Sequence, residues 1–117
     1  MTDRKARIND LCNAMNDQAI ETALGLLHPD VDWQDLMTPG RRQGLAAVRA
    51  YWEEVFGLVS PASSILETRS DGPDRIIVTF LHSIRDRQGK LWSEETTTQV
   101  FTFRDGLIVR MDLVERP

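Results

Sequence analysis

Residues 31–56 read VDWQDLMTPGRRQGLAAVRAYWEEVF, and this stretch decides the fold. Its first five residues form a short strand-like run that ends on Asp35. Residues 36–43, which include a Pro-Gly pair, read as a turn-rich connection. Gly44 then opens a helix in which Leu45, Val48, Trp52, Val55 and Phe56 share one face, with Tyr51 beside them. A carboxylate is thereby set beside a group of aromatic side chains. Against an apolar cavity a carboxylate is poorly solvated, which raises its proton affinity into a range useful for moving protons. Asp35 is the candidate general base.

Upstream of this stretch the spacing is helical. Ile8, Leu11, Cys12 and Met15 recur at i, i+3, i+4 and i+7, which predicts a helix over about residues 3–16. Asp17 is placed to cap a second helix carrying Ile20, Ala23, Leu24 and Leu27. Pro29 disfavours helix at the residue before it, so that helix is expected to stop near His28, with His28 as its C-terminal cap. Pro61 lies just past the end of the third helix.

Downstream the period changes to two. Ile76, Val78, Phe80, His82 and Ile84 point one way, while Thr79, Ser83 and Arg85 point the other. Asp71-Gly72-Pro73 turns into this strand, and residues 86–89 turn it into the next. Residues 91–103 make the longest strand. Ser93, Glu95, Thr97, Gln99, Phe101 and Phe103 occupy one face; Trp92, Glu94, Thr96, Thr98, Val100 and Thr102 occupy the other, threonine-rich one. Asp105-Gly106 is a tight-turn signal, and residues 107–114 return as the last strand. Helices followed by antiparallel strands predict an α+β fold with the helices on one sheet face. A strongly bent sheet leaves a cavity beneath them.

Composition narrows the function classes. A chain of 117 residues, 41% hydrophobic and 27% charged, fits one domain over 1–117 with a single core. A net charge of −4 argues against a nucleic-acid partner, which needs a concentrated basic surface. Arg85, Arg87 and Lys90 cluster at a hairpin tip with Asp86 among them and read as a solvated loop. No apolar run approaches the roughly 18 residues that span a bilayer, and residues 1–7 are too polar for a secretory signal. Cys12 is the one cysteine, which excludes an internal disulfide, makes a reducing cytoplasm the expected compartment, and reads as a packing residue on a helix face. His82 is the one histidine at an inward strand position, so a metal site is not expected; no cofactor is expected.

The order of these signals resembles a known superfamily. Asp35, then Gly44 and an Ala-Val-Arg-x-Tyr-Trp helix, then a Phe101-x-Phe103-x-Asp105-Gly106 hairpin, is similar to the nuclear transport factor 2-like superfamily, in its ketosteroid isomerase and SnoaL-like branch. The resemblance covers essentially the whole chain. It implies a cone of three helices wrapped on a strongly curved, mostly antiparallel sheet, with an internal pocket at the wide end. In that family the isomerase base falls on Asp35, the oxyanion-hole tyrosine on Leu11, and the second donor, a protonated aspartate, near Gln99. An amide NH2 can donate to a developing enolate, whereas Leu11 cannot. The epoxide-hydrolase pattern matches only at Arg110 and Asp112 and is disfavoured. Dehydratase-like members pair an aspartate with pocket histidines, which marks His82.

The expected catalytic set is therefore Asp35, Gln99 and His82. The expected pocket walls are Leu11 and Met15 from the first helix and Trp33, Tyr51, Trp52 and Phe56 from the central stretch. Phe80, Phe101, Met111, Leu113 and Glu115 are expected to complete them from the sheet. The implied function is binding of a compact, largely apolar carbonyl compound and proton transfer on it, as an isomerase, cyclase or dehydratase. The rival is a non-catalytic binding or dimerisation module. Trp92 and Val100 on the face that the helices leave open predict a homodimer through the sheet.

Overall fold

A computed structural model describes residues 4–35 and 40–114. Helix α1 (Arg4–Asn16) and the short α2 (Ile20–Leu24) lead into strand β1 (Leu27–Gln34) and then β2 (Arg41–Gln43). Helix α3 (Leu45–Leu58) follows, and then β3 (Ser60–Ser70), β4 (Arg75–Arg85), β5 (Leu91–Arg104) and β6 (Leu107–Leu113). The six strands form one sheet in the order β2-β1-β6-β5-β4-β3, antiparallel except for the β1–β6 pair. The three helices pack on one face of this curved sheet, giving an α+β cone.

The core lies between helices and sheet because alternation puts the apolar residues there. Ile76, Val78, Phe80, Phe101, Phe103 and Met111 are buried from the sheet side, and Ile8, Leu11, Val48, Trp52 and Phe56 meet them from α1 and α3. Gly44 precedes α3 at φ 87, a left-handed backbone that suits glycine, and its N–H donates to the Val31 carbonyl. That bond ties the start of α3 to β1. Arg87 reaches back from the β4–β5 turn to donate to the Phe56 carbonyl near the end of α3, so it is a helix-end contact rather than a purely solvated loop residue.

Local readings changed in three places. The second helix ends at Leu24, and Leu27, His28 and Pro29 belong to β1 instead. Parallel pairing with β6 overrides the helical spacing: Leu27 is in register with Ile108, whose N–H donates to the Leu26 carbonyl. Pro29, which cannot donate, falls where the β1–β6 register shifts, the usual place for a strand proline. His28 accepts the Asp30 N–H at Nδ1 and caps no helix. Asp17 is not the cap of α2; that position is Ala19, with no side-chain hydrogen bond. Finally, residues 41–43 are a strand rather than a turn, held against β1 in antiparallel register.

Candidate functional site

A cavity opens between α1, α3 and the concave sheet face. It holds about 100 Å³ of room for the centres of water molecules, several times the ~10–15 Å³ that one water requires. Leu11 and Met15 line it from α1, and Tyr51, Trp52 and Phe56 from α3. Trp33, Phe80 and Phe101 line it from the sheet. The aromatic walls brace one another: Trp33 and Trp52 meet edge to face with centroids 5.3 Å apart, and Phe80 meets Phe101 at 6.3 Å. These contacts fix the shape of an apolar chamber before any ligand enters.

Polar groups enter the chamber at few points. Gln99 is brought to the wall by its inward position on β5 and is only 7% exposed. No hydrogen bond to its side-chain amide is formed among the described residues. An amide that faces a cavity in this state can meet water or a ligand there. Thr97 Oγ1, on the same strand face, is buried without a hydrogen-bond partner among the described residues.

His82 lines the cavity from β4, and its Nδ1 lies 2.9 Å from Ser63 Oγ across the β3–β4 ladder. Burial pushes the imidazole below its ordinary value of 6.5, with the Glu95 carboxylate opposite working more weakly the other way. Asn16 clamps the same serine, donating to the Ser63 carbonyl and accepting the Ser63 N–H, both at 2.8 Å. Cys12 also lines the cavity and donates its thiol to the Ser63 carbonyl. Burial raises its pKa from 9.0, against the weaker pull of Asn16, which keeps the thiol protonated and poorly nucleophilic.

Asp35 is buried, with its side chain 2% exposed, and its Oδ2 receives Arg42 Nη2 at 2.9 Å. It is not among the residues that line the cavity. The Arg42 guanidinium also sits 5.4 Å above the ring of Tyr51, so the pair abuts the cavity wall from behind. Register sets Asp35 and Gln99 in one row. Trp33 pairs with Met111 and Gln99 with Leu113, so Asp35, two residues past Trp33, stands level with Leu113 and Gln99. His82 lies two inward rows away.

The expected set is thus divided. Gln99 and His82 reach the cavity, whereas Asp35 meets Arg42. Met111 is fully buried in the core and Leu113 lies beside Gln99 without lining the cavity. Glu115 is outside the described residues. Ser63, Asn16 and Arg42 were not singled out from sequence. Ser63 becomes legible only once residues 60–70 are read as the strand that pairs with β4, and Asn16 only as the end of α1 facing it. Arg110 and Asp112 lie on the opposite sheet face, where they close a ring of ion pairs with Asp32 and Arg41. No group of three His, Cys, Asp or Glu among the described residues could hold a metal. No described helix is long and apolar enough to cross a membrane.

Comparisons bear on this geometry. The sequence pattern of the SnoaL-like domain family matches residues 8–111. No curated protein matches the chain. Among solved structures, a putative polyketide cyclase from Sinorhizobium meliloti is 26% identical, with a TM-score of 0.80 over 93% of this chain and 94% of the other. A Mycobacterium tuberculosis protein in complex with estradiol-17β-hemisuccinate is 18% identical, with a TM-score of 0.84 over 99% and 95%. An epoxide hydrolase-like protein from M. tuberculosis is 17% identical, with a TM-score of 0.77 over 91% and 77%. The last two likenesses speak for the fold.

Proposed function

The chain belongs to the SnoaL-like domain family, and we propose that its cavity binds a small, largely apolar molecule bearing a carbonyl group. The observation that carries this reading is Gln99: its amide, without a hydrogen-bond partner among the described residues, meets the cavity in a wall that is mostly aromatic and aliphatic. Its NH2 can donate to a carbonyl oxygen at any pH, and the charge that develops on an enolate strengthens that bond. The polyketide cyclase likeness and the bound estradiol ester of the M. tuberculosis protein support the same class of ligand.

Proton transfer next to that carbonyl is the chemistry the site can carry, whether as isomerase, cyclase or dehydratase. Asp35 stands in the row of Gln99, two strand spacings or about 10 Å away at the backbone. Asp35 acts on a C–H beside that carbonyl only where its carboxylate reaches past the Tyr51 wall into the cavity. His82 is the other proton-accepting group, at the far end of the cavity. The second reading, a non-catalytic binder, has its own support: Arg42 occupies the Asp35 carboxylate, and Leu11 offers no donor. Binding of apolar ketones, followed through the fluorescence of Trp33 and Trp52, tests the shared claim. Loss of deuterium from the α-carbon of a bound ketone, followed by NMR, separates the two readings: wash-out abolished by Asp35→Asn supports catalysis, and no wash-out supports the binder.

The reading extends to assembly as a two-fold homodimer through the outer sheet face. Trp92 is 61% exposed there, and Leu81 on β4 also leaves apolar surface in water. Exposed apolar area of this kind favours an interface.

A further inference from the structure

The polar groups of the cavity sort into two ends. Gln99 pairs across the ladder with Val78, and His82 stands four residues further along β4. At ~3.3 Å per residue the two are separated by about 13 Å along the strands. Phe80 fills the intervening inward position of β4, with its ring against Phe101. No single functional group of a small molecule reaches both ends, so each end addresses a different group of the ligand.

The far end is built rather than incidental. Ser63 is held from α1 by two backbone hydrogen bonds to Asn16, which fixes where its hydroxyl meets His82 Nδ1. That contact leaves Nε2 without a hydrogen-bond partner among the described residues. Depending on the tautomer, Nε2 either donates or accepts. A hydroxyl can do both, so it suits the site in either state. Charge is selected against. None of the described residues lining the cavity carries a permanent charge, and Glu95 faces His82 across the ladder, where it would repel an anion.

We infer that the cavity selects an uncharged, two-ended ligand: a flat apolar body with a carbonyl oxygen at the Gln99 end and a hydroxyl at the Ser63–His82 end. Ser63 and His82 are then specificity-determining residues, and Asn16 is a positioning residue that acts through Ser63. The inference rests on the small-molecule reading above and adds the second anchor, the ligand's length and its neutrality.

A biphenyl with an acetyl group at one end and a phenol hydroxyl at the other is the probe. Its relatives lack the hydroxyl, lack the acetyl group, or carry a carboxylate in place of the hydroxyl. Calorimetric titration of the full chain should rank the two-ended neutral compound first, with loss of the hydroxyl weakening binding roughly tenfold. His82→Phe, which preserves the ring volume, should erase the preference for the hydroxyl and leave the preference for the acetyl group. Ser63→Ala should reduce the hydroxyl preference in the same direction. Equal binding with and without the hydroxyl, tighter binding of the carboxylate, or equal weakening of all compounds by His82→Phe overturns this inference while leaving ligand binding intact. A protein that binds none of the series overturns the underlying reading as well.

Discussion

The Asp35 carboxylate, nearly sealed from solvent, is held 2.9 Å from the Arg42 guanidinium, and that guanidinium lies over the ring of Tyr51 in the cavity wall. One ion pair therefore ties the candidate base to the shape of the pocket. Asp35→Asn removes the charge but keeps an acceptor, and Arg42 is exposed enough to find water. We expect Asp35→Asn to destabilise the fold by about 1–2 kcal/mol. Arg42→Met should cost more, about 2–4 kcal/mol, because it leaves a buried carboxylate without its cation. Urea denaturation of both variants checks the order. An Arg42→Met protein as stable as wild type would mean that the pair contributes nothing to the wall.

Trp52 tests the chamber itself. It is buried and meets Trp33 edge to face. Trp52→Ala should open a void that the braced neighbours cannot fill, at about 3–5 kcal/mol. Chemical denaturation should show this loss exceeding that of Asp35→Asn.

The arrangement of secondary structure was legible before the structure because periodicity was unambiguous where residues face one core. Gly44 and the α3 stripe, the inward residues of β4 and the two faces of β5 all follow from spacing. Leu27 and His28 were misread because a helical spacing of apolar residues also suits a strand buried by a distant partner. Only the pairing of Leu27 with Ile108, 81 positions away in sequence, decides it. The site was legible in part for the same reason. Gln99 and His82 follow from strand parity, but the Asp35–Arg42 contact depends on how a hairpin folds back, which no local pattern encodes. Ser63 and Asn16 meet only in three dimensions.

His82 carries a pH signature. Burial holds its pKa below 6.5, so the unfolded chain takes up a proton at a higher pH than the folded protein does. Between those two values the unfolded state binds more protons. Stability is therefore full above about pH 6.5 and declines as the pH falls through the folded value. His82→Phe should remove this part of the slope while the carboxylates keep theirs. Between about pH 7.5 and pH 5 the wild-type denaturation midpoint should fall relative to that of His82→Phe if desolvation of His82 is the cause. A constant gap would contradict it.

Assembly is tested through Trp92. Light scattering should return about twice the 13.3 kDa of one chain, and Trp92→Glu should shift the population toward the monomer by placing a charge in the apolar patch. A monomer in the wild-type protein at tens of micromolar, the concentration scale of a modest interface, would count against the dimer.

The central claim is that Gln99 serves a ligand in the cavity rather than the fold. Calorimetric titration of an apolar aromatic ketone into wild type and Gln99→Leu tests it most directly. Binding should weaken by about 1–3 kcal/mol in the variant, because the ligand oxygen is left buried without a donor. The variant's own stability should hold or rise, since a side chain that makes no hydrogen bond among the described residues is replaced by an apolar one of similar size. Unchanged affinity in Gln99→Leu, or no binding of such ketones to the wild-type protein, would contradict the account.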